Sequence, residues 1–134
     1  MKMNPVVHFE MPAKDRKRMS DFYSTVFGWK TEMMGPDMEE YTVVITTESD
    51  KKTRRPKMGG AINGGFYKKD TTKPDQYPSV VISVDDVDEH MKKISEAGGK
   101  ILSGPDNIPG VGLYVSFRDT EDNRVSLLQP SRTM

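Results

Sequence analysis

The sequence predicts an α+β fold, two βαβββ units forming an incomplete barrel around a central cleft. Three observations carry the expectation. Two segments, "PVVHFEM" and "PSVVISV", alternate as strands should. Each is followed by a stretch of helical spacing that opens at an aspartate, Asp15 or Asp86, and closes at a glycine, Gly28 or Gly99. One offset of 71 residues (99 − 28) relates both glycines and both aspartates, and it sets Phe9 on Val80 and His8 on Ser79. A single shift that aligns a strand, a helix start and a helix end marks a repeat.

In order, "PVVHFEM" puts Val7, Phe9 and Met11 on one face and Val6, His8 and Glu10 on the other. Met19, Phe22, Tyr23 and Val26 then recur at helical spacing, and Gly28 is placed to end that helix in a left-handed conformation. A short strand is expected around Thr31 to Met34, followed by strands over 41–47 and 58–65 joined by a polar loop. In the second half a strand over 78–84 precedes the helix "DDVDEHMKKISEAGG". After it come a short strand around Lys100 to Leu102, the strand "VGLYVSFRD" and the last strand "NRVSLLQP". The chain reads as one domain over 1–134, with units over about 1–70 and 74–134.

A strand face covered by a helix should be apolar, so Val7, Phe9, Met11, Val80, Ile82 and Val84 are assigned to the core. The opposite face, Val6, His8, Glu10, Ser79, Val81 and Ser83, is assigned to the cleft. In the last strand Val125 and Leu127 go to the core and Ser126 and Leu128 to the cleft.

Composition narrows the function classes. The 134 residues contain no cysteine, so disulfides and thiolate metal sites are excluded. Twenty basic and twenty acidic residues cancel, which gives no global attraction for nucleic acid or an anionic membrane. No stretch reads as a signal peptide or membrane span. These facts favour a soluble cytoplasmic domain.

"SDFYSTVFGWK", "VVISVDDVDEHMKKISEAGGKI" and "FRDTEDNRVSLLQP" resemble the glyoxalase/bleomycin-resistance/extradiol-dioxygenase superfamily, the vicinal oxygen chelate fold. The resemblance covers nearly the whole chain. It implies a cleft in which metal-dependent members hold a divalent ion through His and Glu or Gln on the first and last strands of each unit. Carried over, those positions fall on His8, on Ser79 where a histidine is common, and on Ser126 where a glutamate is common. The remaining position falls within "GGAINGG", whose only polar side chain is Asn63. One imidazole with neutral hydroxyls does not offset the dehydration of a divalent ion, and Glu10 beside His8 would make only a two-ligand site.

The expectation is therefore a metal-independent small-molecule binding protein with no cofactor. Its ligand is bounded by His8, Glu10, Asn63, Ser79 and Ser126, with Met33, Met34 or Met38 as adaptable walls. The alternatives are a divergent lyase, isomerase or dioxygenase using His8 and Glu10, with a divalent metal on His8 as one form, and a drug-sequestering resistance protein. A Ser–His–Glu nucleophile is disfavoured because neither serine sits in a strand-turn-helix elbow. The resemblance allows the units to pair within one chain or across a homodimer. "KKTRRPK" (51–57) reads as a solvated hairpin loop rather than an anion site, and "DTEDN" (119–123) as a turn rather than a calcium loop. His90 reads as a surface residue and Trp29 as a core-edge residue.

Overall fold

The computed structural model describes residues 1–131. The chain divides into two compact units, one over His8–Pro78 and the other formed by Met1–Val7 with the chain from Ser79 onward. The α+β class and the βαβββ order are as expected.

In the first unit, β1 (Val6–Ala13) leads into α1 (Arg16–Phe27), then β2 (Lys30–Met33), β3 (Thr42–Ile45) and β4 (Asn63–Lys68). β4 pairs in parallel with β1 and antiparallel with β3, and β2 closes the order β2-β3-β4-β1. α1 begins because the Asp15 carboxylate accepts the Arg18 N–H at 3.0 Å, satisfying one of the donors a helix start leaves free. It ends at Gly28, whose φ of 72° is the left-handed turn that only glycine takes without cost. Phe66, Val44 and Ala13 form the buried core, with Phe9 and Met11 of β1 and Met19 and Tyr23 of α1 against them. Trp29 packs at this core's edge, stacked on Tyr23 with ring centroids 4.6 Å apart.

In the second unit, β5 (Ser79–Ser83), α2 (Val87–Glu96), β6 (Lys100–Ile108), β7 (Gly112–Arg118) and β8 (Arg124–Pro130) follow the same order. The strands lie β5-β8-β7-β6, with β5 and β8 parallel and the other pairs antiparallel. Asp86 caps α2, accepting from the N–H groups of Asp88 and Glu89. Val84, Val87, Val115, Phe117 and Leu127 make the core, flanked by Ile82, Met91, Ile94 and Val125. The core faces read from alternation hold for Phe9, Met11, Ile82, Val84, Val125 and Leu127.

Four local expectations are corrected. β4 begins at Asn63 rather than at Met58, because "MGGAI" forms a turn with Gly60 at φ 87° before the ladder starts. β6 runs to Ile108, well past Leu102, carried by two register shifts against β7. The left-handed residue after α2 is Gly98, at φ 101°, and Gly99 instead donates its N–H to Ile94 O. Val7 and Val80, assigned to the core, stay exposed at the strand starts, short of the helices.

The loop over 51–57 is a hairpin closed by a Ser49–Pro56 bridge, with Asp50 accepting the N–H groups of Lys52 and Thr53. "DTEDN" is a turn in which Asp119 accepts from Glu121 and Asn123, so its carboxylate is satisfied by its own loop. His90 sits on α2 with Nδ1 3.2 Å from Asp86 O. Among the described residues no helix is long and apolar enough to cross a membrane.

Candidate functional site

The first unit brings His8 and Glu10 together through a residue the sequence reading passed over. His8 Nε2 lies 3.1 Å from Tyr41 Oη, and the Tyr41 hydroxyl donates to Glu10 Oε2 at 3.3 Å. Alternation along β1 aims both side chains to one face, and Glu10 is buried to 7 % exposure while His8 is half-buried. Tyr41 is delivered by the turn that precedes β3. Its N–H donates to Met38 O, and its carbonyl accepts from Met34 N–H at 2.8 Å. From α1, Arg16 Nη1 donates to the carbonyls of Met34 and Glu40 and ties that turn to the helix. Of the three candidate wall methionines, Met34 and Met38 thus hold Tyr41 through their backbones, and Met33 is exposed.

A glycine makes room for the phenol. A Cβ on Gly65, which stands opposite Glu10 on β4, would fall 1.8 Å from Tyr41 Oη. At Gly64 the same atom would meet the Phe9 ring at 2.5 Å. The glycine pair therefore permits close packing on both faces of β4. Burial holds the His8 imidazole below its ordinary value of 6.5, and the neighbouring Glu10 charge pulls the other way but less strongly.

The other expected residues divide between the units. Asn63 uses both ends of its amide on its own loop, with Oδ1 accepting from the Thr46 N–H and Nδ2 donating to Ser49 Oγ, each at 2.9 Å. In the second unit, fully buried Ser126 lies 2.6 Å from Tyr114 Oη. Ser79 Oγ is buried with no hydrogen-bond partner among the described residues.

Strand register shows that Tyr41 and Tyr114 are the same residue of the repeat. Glu10 stands opposite Gly65 and Val81 opposite Ser126, so β4 maps onto β8 with an offset of 61 residues (126 − 65). Val43 stands opposite Gly65 and Ser116 opposite Ser126, so β3 maps onto β7 with an offset of 73 (116 − 43). That offset carries Tyr41 onto Tyr114 (114 − 41). In each unit a tyrosine hydroxyl thus reaches the small residue at the last-strand position, glycine in one and serine in the other. Gly65, and not Asn63, is the register equivalent of Ser126.

This arrangement does not fit the divalent ion that metal-dependent relatives of the fold hold. The four positions are His8 and Gly65 in the first unit and Ser79 and Ser126 in the second, of which only His8 offers a metal-binding side chain. Among the described residues no three of His, Cys, Asp or Glu gather as a ligand set. The last-strand positions are taken up by phenol hydroxyls that already have partners.

Paired βαβββ units with a polar constellation on the first and last strands define a chelate-type fold whose chelating side chains are largely replaced. The profile of the glyoxalase/bleomycin resistance protein/dioxygenase superfamily matches residues 6–127, and the chain belongs to that superfamily. An anthracycline biosynthesis protein, DnrV of Streptomyces peucetius, is 27% identical over 117 residues, 83% of this chain; the chain spans 42% of that protein's length. Among solved structures, the hypothetical protein BH1468 of Bacillus halodurans C-125 superposes with a TM-score of 0.69 at 11% identity, covering 99% of both chains. The Streptomyces coelicolor methylmalonyl-CoA epimerase in complex with 2-nitronate-propionyl-CoA superposes at 0.64 and 13% identity, over 95% of this chain and 97% of the other. At such identities the likeness shows the fold alone.

Proposed function

We propose that the protein is a metal-independent small-molecule binding protein of this superfamily, with His8, Glu10 and Tyr41 as polar contacts. The observation that supports it most is the replacement at the last-strand positions, where Gly65 and Ser126 sit under tyrosine hydroxyls. An ion would have to displace those hydroxyls and gain little beyond one imidazole. The same cluster remains suited to organic ligands, because it offers an imidazole and a carboxylate, each within hydrogen-bond reach of one phenol.

A thermal-shift screen tests the proposal, since a ligand that binds only the native state raises Tm by mass action. The screen includes CoA thioesters and anthracyclines, the compounds named for the epimerase complex and the biosynthesis relative. Organic hits are expected, and elemental analysis of the purified protein should give well under one divalent ion per chain. Stoichiometric metal that disappears in His8→Ala would sink the reading.

A second reading is a metal-free lyase or isomerase. The chain His8–Tyr41–Glu10 favours it, because a carboxylate behind a phenol supports a proton arriving on the imidazole. Turnover of a screening hit that falls in His8→Gln would promote this reading over simple binding.

A further inference from the structure

The turn that delivers Tyr41 is held in a conformation its residues do not favour. Between β2 and β3, residues 34–41 form a strap. Its base is closed by the Met34 N–H donating to Tyr41 O, and Gly35 O accepts the N–H groups of Met38 and Glu40. Glu39 and Glu40 follow one another in the left-handed region, at φ 54° and 58°. One left-handed residue is a common way to end a helical turn, and it is usually glycine. Two glutamates in succession meet the steric cost of that region twice. Their side chains offer little in return. Glu39 is exposed, and the Glu40–Lys68 pair at 3.8 Å is exposed at both ends.

The second unit makes the same connection without this strain. The offset of 73 that carries Tyr41 onto Tyr114 carries Glu39 onto Gly112 (112 − 39), a glycine at φ 144°. The other left-handed residue of that turn, at φ 75°, is also a glycine, Gly110. The offset of 71 that relates the helix starts carries Arg16 onto Val87 (87 − 16), a buried core residue. The unit with glycines thus has no arginine at the helix start, and the unit with glutamates has one. Arg16 Nη1 donates to Met34 O at 2.6 Å and to Glu40 O at 2.9 Å. One charged nitrogen therefore pins both ends of the strap to the first turn of α1.

We infer that Arg16 latches a strained strap and so sets whether Tyr41 stands against His8 and Glu10. Latched, the strap keeps the Tyr41 hydroxyl in reach of both. Released, Glu39 and Glu40 relax to ordinary φ values and the segment draws Tyr41 away. Arg16 is a positioning residue that acts on the strap backbone, so the latch does not depend on what else the Tyr41 ring touches. Its bearing on a ligand rests on the small-molecule reading above.

NMR and amide exchange on the full chain, without ligand, test the latch. In the native protein Glu39 and Glu40 should each show the strong intraresidue amide–α NOE of a left-handed residue. Arg16→Ala should abolish that signature and speed exchange at the Met34 amide about tenfold or more. Val44, opposite Gly64 in the β3–β4 ladder, should keep its protection. The His8 ring resonances, told from those of His90 with His90→Gln, should move. Adding Glu39→Gly and Glu40→Gly to Arg16→Ala should restore both the Met34 protection and the His8 resonances, because glycine takes those φ values without the clash. A helix-start role for Arg16 alone predicts no such rescue. In the native background the same two glycines should slow Met34 exchange, a readout that holds even if Arg16→Ala fails to fold. Absence of the NOE signature, equal acceleration at Met34 and Val44, unmoved His8 resonances, no rescue, or faster Met34 exchange with the glycines alone each overturn the inference. A thermal-shift screen without hits would count against the small-molecule reading and leave these results unchanged, so the two failures are told apart.

Discussion

At the scale of single residues, His8 is a side chain whose chemistry burial has altered. Its folded-state value is lowered from 6.5 by burial. Above 6.5 both folded and unfolded chains carry a neutral His8, and it adds no pH dependence. As the pH falls below 6.5 the unfolded chain takes up a proton that the folded chain resists, so stability drops. The urea midpoint should therefore fall between about pH 7.5 and about pH 5, and fall less in His8→Gln. An identical slope in the two proteins would show that His8 titrates as it does in the unfolded chain. Tyr41 acts at the same scale. Removing its hydroxyl in Tyr41→Phe breaks the links to His8 and Glu10 and should cost about 1–2 kcal/mol in urea unfolding.

At the scale of elements, the helix starts and the core faces were legible in the sequence, and the tyrosine pair was not. Asp15 and Asp86 are caps because a carboxylate just before an apolar period has one common use. Phe9, Met11, Ile82 and Val84 face helices because strand alternation has a period of two. Tyr41 was hidden by insertion length. The offset between repeats is 71 residues at β1, 73 at β3 and 61 at β4, so a constant shift carries Tyr41 onto Gly112 and misses Tyr114. Only paired strands restore the correspondence. The same uncertainty made Asn63 the one polar choice in "GGAINGG", whereas the equivalent position is a glycine chosen for its lack of a side chain. That role has a measurable consequence. Gly65→Ala should destabilise by about 1–3 kcal/mol, since its methyl would overlap Tyr41 Oη. In a Tyr41→Ala background the clash is absent, and most of that cost should vanish in a double-mutant cycle. Additive losses would mean that Gly65 is needed for its backbone and not for the space above it.

At the scale of the whole molecule, the first strand is divided between two compact units. Met1–Val7 group with the chain from Ser79 onward, and the rest of β1 groups with the body over His8–Pro78. The division has a hydrogen-bond basis. Pro5 O accepts the Ser83 N–H at 2.9 Å and Lys2 pairs with Asp85 at 2.6 Å, while from His8 to Ala13 the partners of β1 lie on β4. Sequence periodicity showed one continuous strand here and gave no sign that its ends serve different partners, because alternation reports faces and not neighbours. Ion pairing contributes little to the first set, since Lys2 and Asp85 are both largely exposed. The backbone bond to Ser83 is the element to test. Deleting residues 1–5 removes its acceptor, so amide exchange at Ser83 should accelerate markedly. The amides of the β3–β4 ladder, such as Val44 opposite Gly64, should keep their protection because all of their partners remain. Loss of protection in both places at once would show that the two units open as a single cooperative body, and that the strand divides them in contacts but not in stability.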